Sequence, residues 1–140
     1  MILRDAGVGD VAQIARVLGD WCQDTAWLPK LHTQAQDLWF AGEVLKTHVV
    51  RIGFAEGLGF LARKGQQIDA LYLAPEARGR GLGRALLDEA KAAGHLGLWT
   101  FQANLDARRF YLREGFREVR FTDGAENDEK LPDVWMEWDA

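Results

Sequence analysis

The stretch Arg78-Gly79-Arg80-Gly81-Leu82-Gly83-Arg84 holds the densest chemistry in the 140-residue chain. Three glycines alternate with larger residues between an apolar run at Ile68–Ala74 and a helix-patterned run at Leu82–Ala93. Glycines allow a tight turn and let a ligand approach the backbone closely. The first turn of a helix leaves its N–H groups unpaired, and the helix dipole favours negative charge there. Arg78, Arg80 and Arg84 add positive charge. Together these residues form an anion site suited to a pyrophosphate. Two other phosphate motifs do not fit. There is no Gly-Lys-Ser/Thr, and a G-x-G-x-x-G fingerprint would need a glycine where Arg84 stands.

The elements that must position this loop follow from hydrophobic spacing. Leu3–Asp5 reads as a short strand. Val11, Ile14, Ala15 and Leu18 form an i, i+3, i+4, i+7 stripe, with Asp10 as the expected N-cap and Gly19 as the expected end. Residues 22–33 have no period and read as a loop, and Thr33 caps a second helix through about Lys46. Three short strands follow at 48–55, 58–63 and 67–74, separated by the turn signals Glu56-Gly57 and Lys64-Gly65. A helix over 82–93 closes at Gly94. Then come a strand at 98–103, a helix at 105–114, a strand at 116–122, an acidic loop at 123–132 and a last strand at 134–138. Helices mixed with hairpins predict an α/β fold, mostly antiparallel, with parallel pairing where a helix crosses over. No boundary interrupts residues 1–140, so one domain is expected.

Composition narrows the function classes. The chain has 17 Lys+Arg and 21 Asp+Glu, a net charge of −4, which argues against a nucleic-acid partner. Cys22 is the only cysteine, so a cysteine-rich zinc site is excluded, and no metal is expected. The opening residues carry no basic, apolar leader, and the longest stretch free of Asp, Glu, Lys and Arg is 14 residues, short of a membrane span. A cytoplasmic protein with no membrane partner is the expectation. The net charge is unevenly spread. Residues 78–120 carry +4 and the rest −8, with seven acids against Lys130 in 123–140. A basic half for an anionic ligand and an acidic remainder for a cation would explain the split.

At this point the sequence resembles the GNAT superfamily of acetyl-CoA-dependent N-acetyltransferases. Its coenzyme signature is Arg/Gln-x-x-Gly-x-Gly/Ala between a strand and a helix, and Arg78 to Gly83 satisfies every position. Leu71-Tyr72-Leu73-Ala74-Pro75 resembles the preceding strand and its proline. A second block, Asn104-x-x-Ala107-x-x-Phe110-Tyr111-x-x-x-Gly115-Phe116, resembles the family's later motif. The resemblance covers residues 48–122 well and the N-terminal helices loosely. It implies a mixed, mostly antiparallel sheet of about six to seven strands flanked by about four helices.

The resemblance also implies roles. The strand at 68–74 would splay from the strand at 98–103 at a bulge, and the pantetheine arm would enter the gap along Leu71, Tyr72 and Leu73. The pyrophosphate of acetyl-CoA would sit on the N–H groups of Arg78, Gly79, Arg80, Gly81, Leu82, Gly83 and Arg84. Asn104 matches the position that hydrogen-bonds the arm, with Ala107 and Phe110 lining the same channel. Tyr111 matches the family's general acid toward the coenzyme sulfur. A phenol with pKa ~10 keeps its proton at neutral pH and can donate it. Asp69 is the candidate base; strand alternation would put it on one face with Leu71 and Leu73. His32 is a second candidate base, and an ordered water a third.

No family-wide motif marks the acceptor. Trp27, His32, Trp39 and Phe40 come from the first two helices and their loop, and Asp123, Glu126, Asn127 and Asp128 from the acidic loop. Aromatic walls with an acidic rim suit a small cationic amine. A protein N-terminus or lysine is an alternative acceptor, and a non-catalytic acyl-CoA-binding module of the same fold an alternative function. Many family members dimerise, so a homodimer is among the expected states.

Overall fold

A computed structural model describes all 140 residues. The chain runs β1 (Ile2–Asp5), α1 (Val11–Asp24), α2 (Gln34–Thr47), β2 (Val49–Ala55), β3 (Gly57–Lys64), β4 (Gln67–Leu73), α3 (Leu82–Ala90), β5 (His95–Phe101), α4 (Leu105–Arg113), β6 (Arg117–Thr122) and β7 (Asp133–Asp139). The seven strands form one sheet in the order β1-β2-β3-β4-β5-β7-β6. Every neighbouring pair is antiparallel except β4 and β5, which α3 links by a crossover. This is the mixed α/β sheet with four helices that the resemblance implies. No helix is long and apolar enough to cross a membrane.

Two cores lie on opposite faces of the sheet. On one, Leu82, Leu86 and Leu87 of α3 and Tyr111 of α4 pack on Leu61, Leu96, Leu98, Val134 and Met136. Leu82 seats α3 deeply, because Gly53 and Gly59 leave a slot for its side chain; a Cβ on Gly53 would come within 2.6 Å of it. On the other face, Ile14 and Val17 of α1 and Val44 of α2 cover Ile52, Phe60, Ala62 and Ala70. That second layer covers β2 to β4. Beyond it Trp99 on β5 is 44% exposed.

The N-terminal helix differs from expectation at both ends. Asp10 makes no side-chain cap; its carboxylate accepts two bonds from Arg4 at 2.8 Å and one from the Gly7 N–H. Gly19 does not end α1, which runs on to Asp24. A glycine suits that position because Asp37 of α2 approaches to 3.1 Å of where a Cβ would stand. The helix end is held instead by Lys30, whose ammonium donates to the carbonyls of Cys22 and Thr25. Thr33 caps α2 as expected, in a reciprocal box with Gln36. Strand β5 begins at His95, earlier than expected, because its ladder with β7 starts at His95 opposite Asp139.

The joint between β4 and β5 matters most for function. The two strands pair only at Gln67–Gly97 and Ile68–Leu98, and beyond Ile68 they separate. On its other side β4 follows β3 continuously, except that Asp69 has no partner between Arg63–Ile68 and Ala62–Ala70. Asp69 is thus the extra residue of a β-bulge, and such residues bend and twist a strand.

Candidate active site

The split between β4 and β5 opens into two clefts. One, of about 590 Å³, is lined by Asp69, Leu71, Trp99, Thr100 and Phe101 and roofed by the loop after β6. The other, of about 940 Å³, runs from Leu71–Leu73 to the start of α3 and along α4. Trp21, Leu71, Tyr72, Asn104, Ala107 and Tyr111 line both, so the clefts meet there.

The larger cleft holds most residues expected to bind coenzyme. Arg78, Gly79, Gly81, Leu82, Gly83 and Arg84 line one end. Gly79 and Gly81 have φ of +73° and +81°, and a Cβ on either would meet only open space. No side chain caps α3, whose N-cap is Gly81, so its first-turn N–H groups are available to an anion. Leu82 can contribute only its backbone, because its side chain is core. Arg80 is turned away: its guanidinium donates to the Glu76 carbonyl, and it does not line the cleft. Arg84 stays beside the cleft, 3.5 Å from Glu114 and 3.7 Å from Asp88. The Asn104 Oδ1 is used at home, capping α4 through the Ala107 N–H, which leaves the amide NH₂ as its free donor. Gly83 brings α3 against Phe110, 3.5 Å from the place of a Cβ.

Tyr111 sits at the junction, packed edge-on against Phe110 and Phe116. Burial, with a lesser contribution from Tyr72, pushes its phenol well above the ordinary value, so it keeps its proton at neutral pH. Its hydroxyl makes no hydrogen bond to the protein and is not completely sealed, in a residue that lines both clefts. Tyr72 is likewise raised, chiefly by burial.

Asp69 lines the smaller cleft, but not as alternation predicts. Ile68 packs with the α3 core and Ala70 with the α1–α2 core, so the bulge breaks the parity between them. Leu71 and Leu73 pack on the α3 side, whereas Asp69 reaches the end of α2, where its Oδ2 lies 2.6 Å from His48 Nε2. Its Oδ1 accepts from Gln67 at 2.9 Å.

The acidic loop forms the far wall. Thr122 donates to Asp133, and Asn127 donates to the Leu131 carbonyl and to Asp133, which pins the loop. Asp69, Asp123, Glu126, Glu129 and Asp133 line this cleft with a single cation, Arg120. Of the other residues expected on the acceptor side, Trp27 lies instead on the larger cleft, edge-on to Trp21 and Phe101. His32, Trp39 and Asp128 line neither cleft. Trp39 points outward from α2 at 68% exposure, and His32 is exposed in the stretch before it. Sequence reasoning missed Trp21, Trp99, Arg120 and His48. Only Trp99 left a signal, a large aromatic beside Gly97 in a strand whose other face is apolar.

The sheet thus splits at a bulge, with a glycine-lined helix start at one end of the opening and an acidic cleft at the other. The chain belongs to the GNAT acetyltransferase family, whose domain model matches residues 35–118. It is 38% identical to the peptidyl-lysine N-acetyltransferase YiaC of Escherichia coli over 84 residues, 58% of this chain and 56% of that protein. The chain thus spans about half the length of the curated relatives it matches. Its fold matches a GCN5-related N-acetyltransferase from Rhodopseudomonas palustris (TM-score 0.80, 24% identity, 99% of this chain and 95% of that one). It also matches YncA of Salmonella typhimurium, solved with acetyl-CoA (TM-score 0.70, 20% identity, 99% and 93%).

Proposed function

We propose that the chain transfers an acetyl group from acetyl-CoA to a cationic primary amine by direct attack. The observation that carries this reading is the meeting of two clefts at Tyr111, one built for an anion and the other rimmed with carboxylates. The ammonium first gives up one proton, because without a lone pair it cannot attack. The neutral nitrogen then attacks the thioester carbonyl, the C–S bond breaks, the nitrogen loses its second proton, the leaving thiolate gains one, and one net proton passes to solvent.

Each step has a residue suited to it. The N–H groups at Gly79, Gly81 and Gly83, with Arg78 and Arg84, hold the pyrophosphate. The edge of Leu71–Leu73, where Arg78 donates to the Leu73 carbonyl, and the Asn104 amide receive the pantetheine arm, between Ala107 and Phe110. Tyr111 donates to the sulfur, with its proton secured by burial. Asp69 accepts the proton of the amine. Trp99 forms an aromatic floor beneath the acidic rim, and a cation is attracted to such a ring face.

A lysine side chain on a protein is a second reading, favoured by the peptidyl-lysine activity of the named relatives. Lysine also presents a cationic primary amine. The deciding experiment is acetyl-CoA-dependent thiol release over polyamines, aminoglycosides, free amino acids and lysine peptides. Release with none of them overturns the assignment. A kcat/KM for lysine peptides well above that for every free amine selects the second reading.

A further inference from the structure

We infer that His48 is a positioning residue for Asp69, so that the group facing the acceptor is a His–Asp pair and not an isolated carboxylate. The inference rests on the reading of Asp69 as the proton acceptor.

Three observations converge on the pair. First, Asp69 is the bulge residue of β4 and has no ladder partner on β3. The strand alone therefore fixes its direction less firmly than that of its neighbours. Second, both carboxylate oxygens are tethered from outside the cleft, Oδ2 by His48 at 2.6 Å and Oδ1 by Gln67 at 2.9 Å. Third, the imidazole is itself fixed. Its side chain is only 13% exposed, and its Nδ1 lies 2.7 Å from the Thr47 hydroxyl, which also donates to the Glu43 carbonyl of α2. The route runs from the last turn of α2 through Thr47 and His48 to the carboxylate. The hydroxyl has one proton, so it accepts from a ring N–H while it donates to the Glu43 carbonyl, or gives up that bond to donate to a bare ring nitrogen.

The charged groups on the surrounding elements are engaged elsewhere. Lys46 and Glu43 on α2 pair with each other at 3.2 Å, and the Arg63 guanidinium on β3 donates to the Gly65 carbonyl. His48 is therefore the one ring or cation within bonding reach of Asp69. A base displaced by an ångström loses much of its effect, because proton transfer needs donor and acceptor within hydrogen-bond reach. His48 aims the carboxylate without touching the substrate.

The test compares His48→Gln, which keeps an N–H donor near the Nε2 position, with His48→Leu, which keeps bulk and removes the donor. His48→Leu is expected to lower kcat ~10-fold or more, part of the range of a general base, with the Kd for acetyl-CoA unchanged. His48→Gln should restore most of the loss. In an Asp69→Asn background His48→Leu should have no further effect, as expected of residues acting as a unit. Equal kcat in the two His48 variants, or losses that multiply with Asp69→Asn, would overturn the inference. A second readout does not depend on turnover. The His48 Nε2–H proton resonance should lie downfield in the wild-type chain and move upfield in Asp69→Asn. A resonance that does not respond to Asp69→Asn overturns the pairing. A wild-type chain with the responsive resonance but no acetyl transfer to any amine overturns the functional reading instead.

Discussion

The indole of Trp135 on β7 fills the space that a side chain on Gly97 of β5 would need. Trp99, two residues along β5, packs against the same indole with ring centroids 5.3 Å apart. Gly97→Ala must therefore push Trp135 off the sheet, an overpacking expected to cost ~1–3 kcal/mol. Urea titration reads that cost. Because Trp99 leans on Trp135, KM for the acceptor should also rise, while Kd for acetyl-CoA stays as in the parent.

Tyr111→Phe removes a hydroxyl and leaves the Phe110 and Phe116 contacts in place. A loss of kcat within the ~10²–10⁴ range of general acids is expected, with little change in Tm or coenzyme affinity. The raised phenol adds a pH prediction. The acid works while protonated, so its contribution should hold from neutral pH up past pH ~10, where an ordinary tyrosine has begun to ionise. Unchanged kcat in the variant would remove Tyr111 from the chemistry.

Gly81 has φ of +81°, so even alanine there is strained. Gly81→Glu adds bulk and a like charge to the proposed pyrophosphate site. The parent chain should gain ~2.7 kcal/mol of stability at acetyl-CoA ~100 times its Kd, seen as a rise in Tm. That rise should vanish in Gly81→Glu. A variant with the full ligand-induced shift would place the coenzyme elsewhere.

Arg4 and Asp10 lock the start of α1 to β1. The two bonds from Arg4, with the Gly7 N–H, hold the Asp10 carboxyl down at about 2. A depressed carboxyl contributes stability that is full above its unfolded pKa of ~3.9 and is lost as pH falls toward 2. Arg4 is about half exposed, so solvent screening weakens the contribution. Arg4→Met should lower stability at pH 7 and flatten the loss between pH 4 and 2.

The acidic rim offers an internal control. Asp123 lines the acceptor cleft and Asp128 does not. Asp123→Lys is therefore expected to raise KM for a cationic amine by several-fold, roughly 1 kcal/mol of charge pairing, with a smaller effect at high salt. Asp128→Lys should leave KM nearly unchanged. Equal effects of the two would mean that the general negative potential attracts the substrate, and not the cleft.

Much of this was legible in the sequence where chemistry is local. The Thr33–Gln36 capping box, the hairpin turns and the glycine-rich start of α3 each follow from a few neighbouring residues. What failed depends on distant partners. Gly19 reads as a helix end, and only the approach of Asp37 explains why α1 passes through it. Alternation misplaces Asp69 because a bulge is a relation between two strands, invisible in either one. His48 gave no signal, since its meaning comes from a carboxylate 21 residues away. Trp39 and His32 have suitable types in a suitable region, but the rotation of α2 turns Trp39 outward.

The separation of β4 from β5 puts an edge strand in the middle of a sheet. Exposed edges elsewhere invite pairing with other chains and are usually blunted by charge, proline or cover. Here the β4 edge beyond Ile68 faces the two clefts that open between β4 and β5. A coenzyme arm seated along this edge, as proposed above, would cover it. The bulge and the charge at Asp69 guard this edge as well, so the chain can keep a row of donors and acceptors in water.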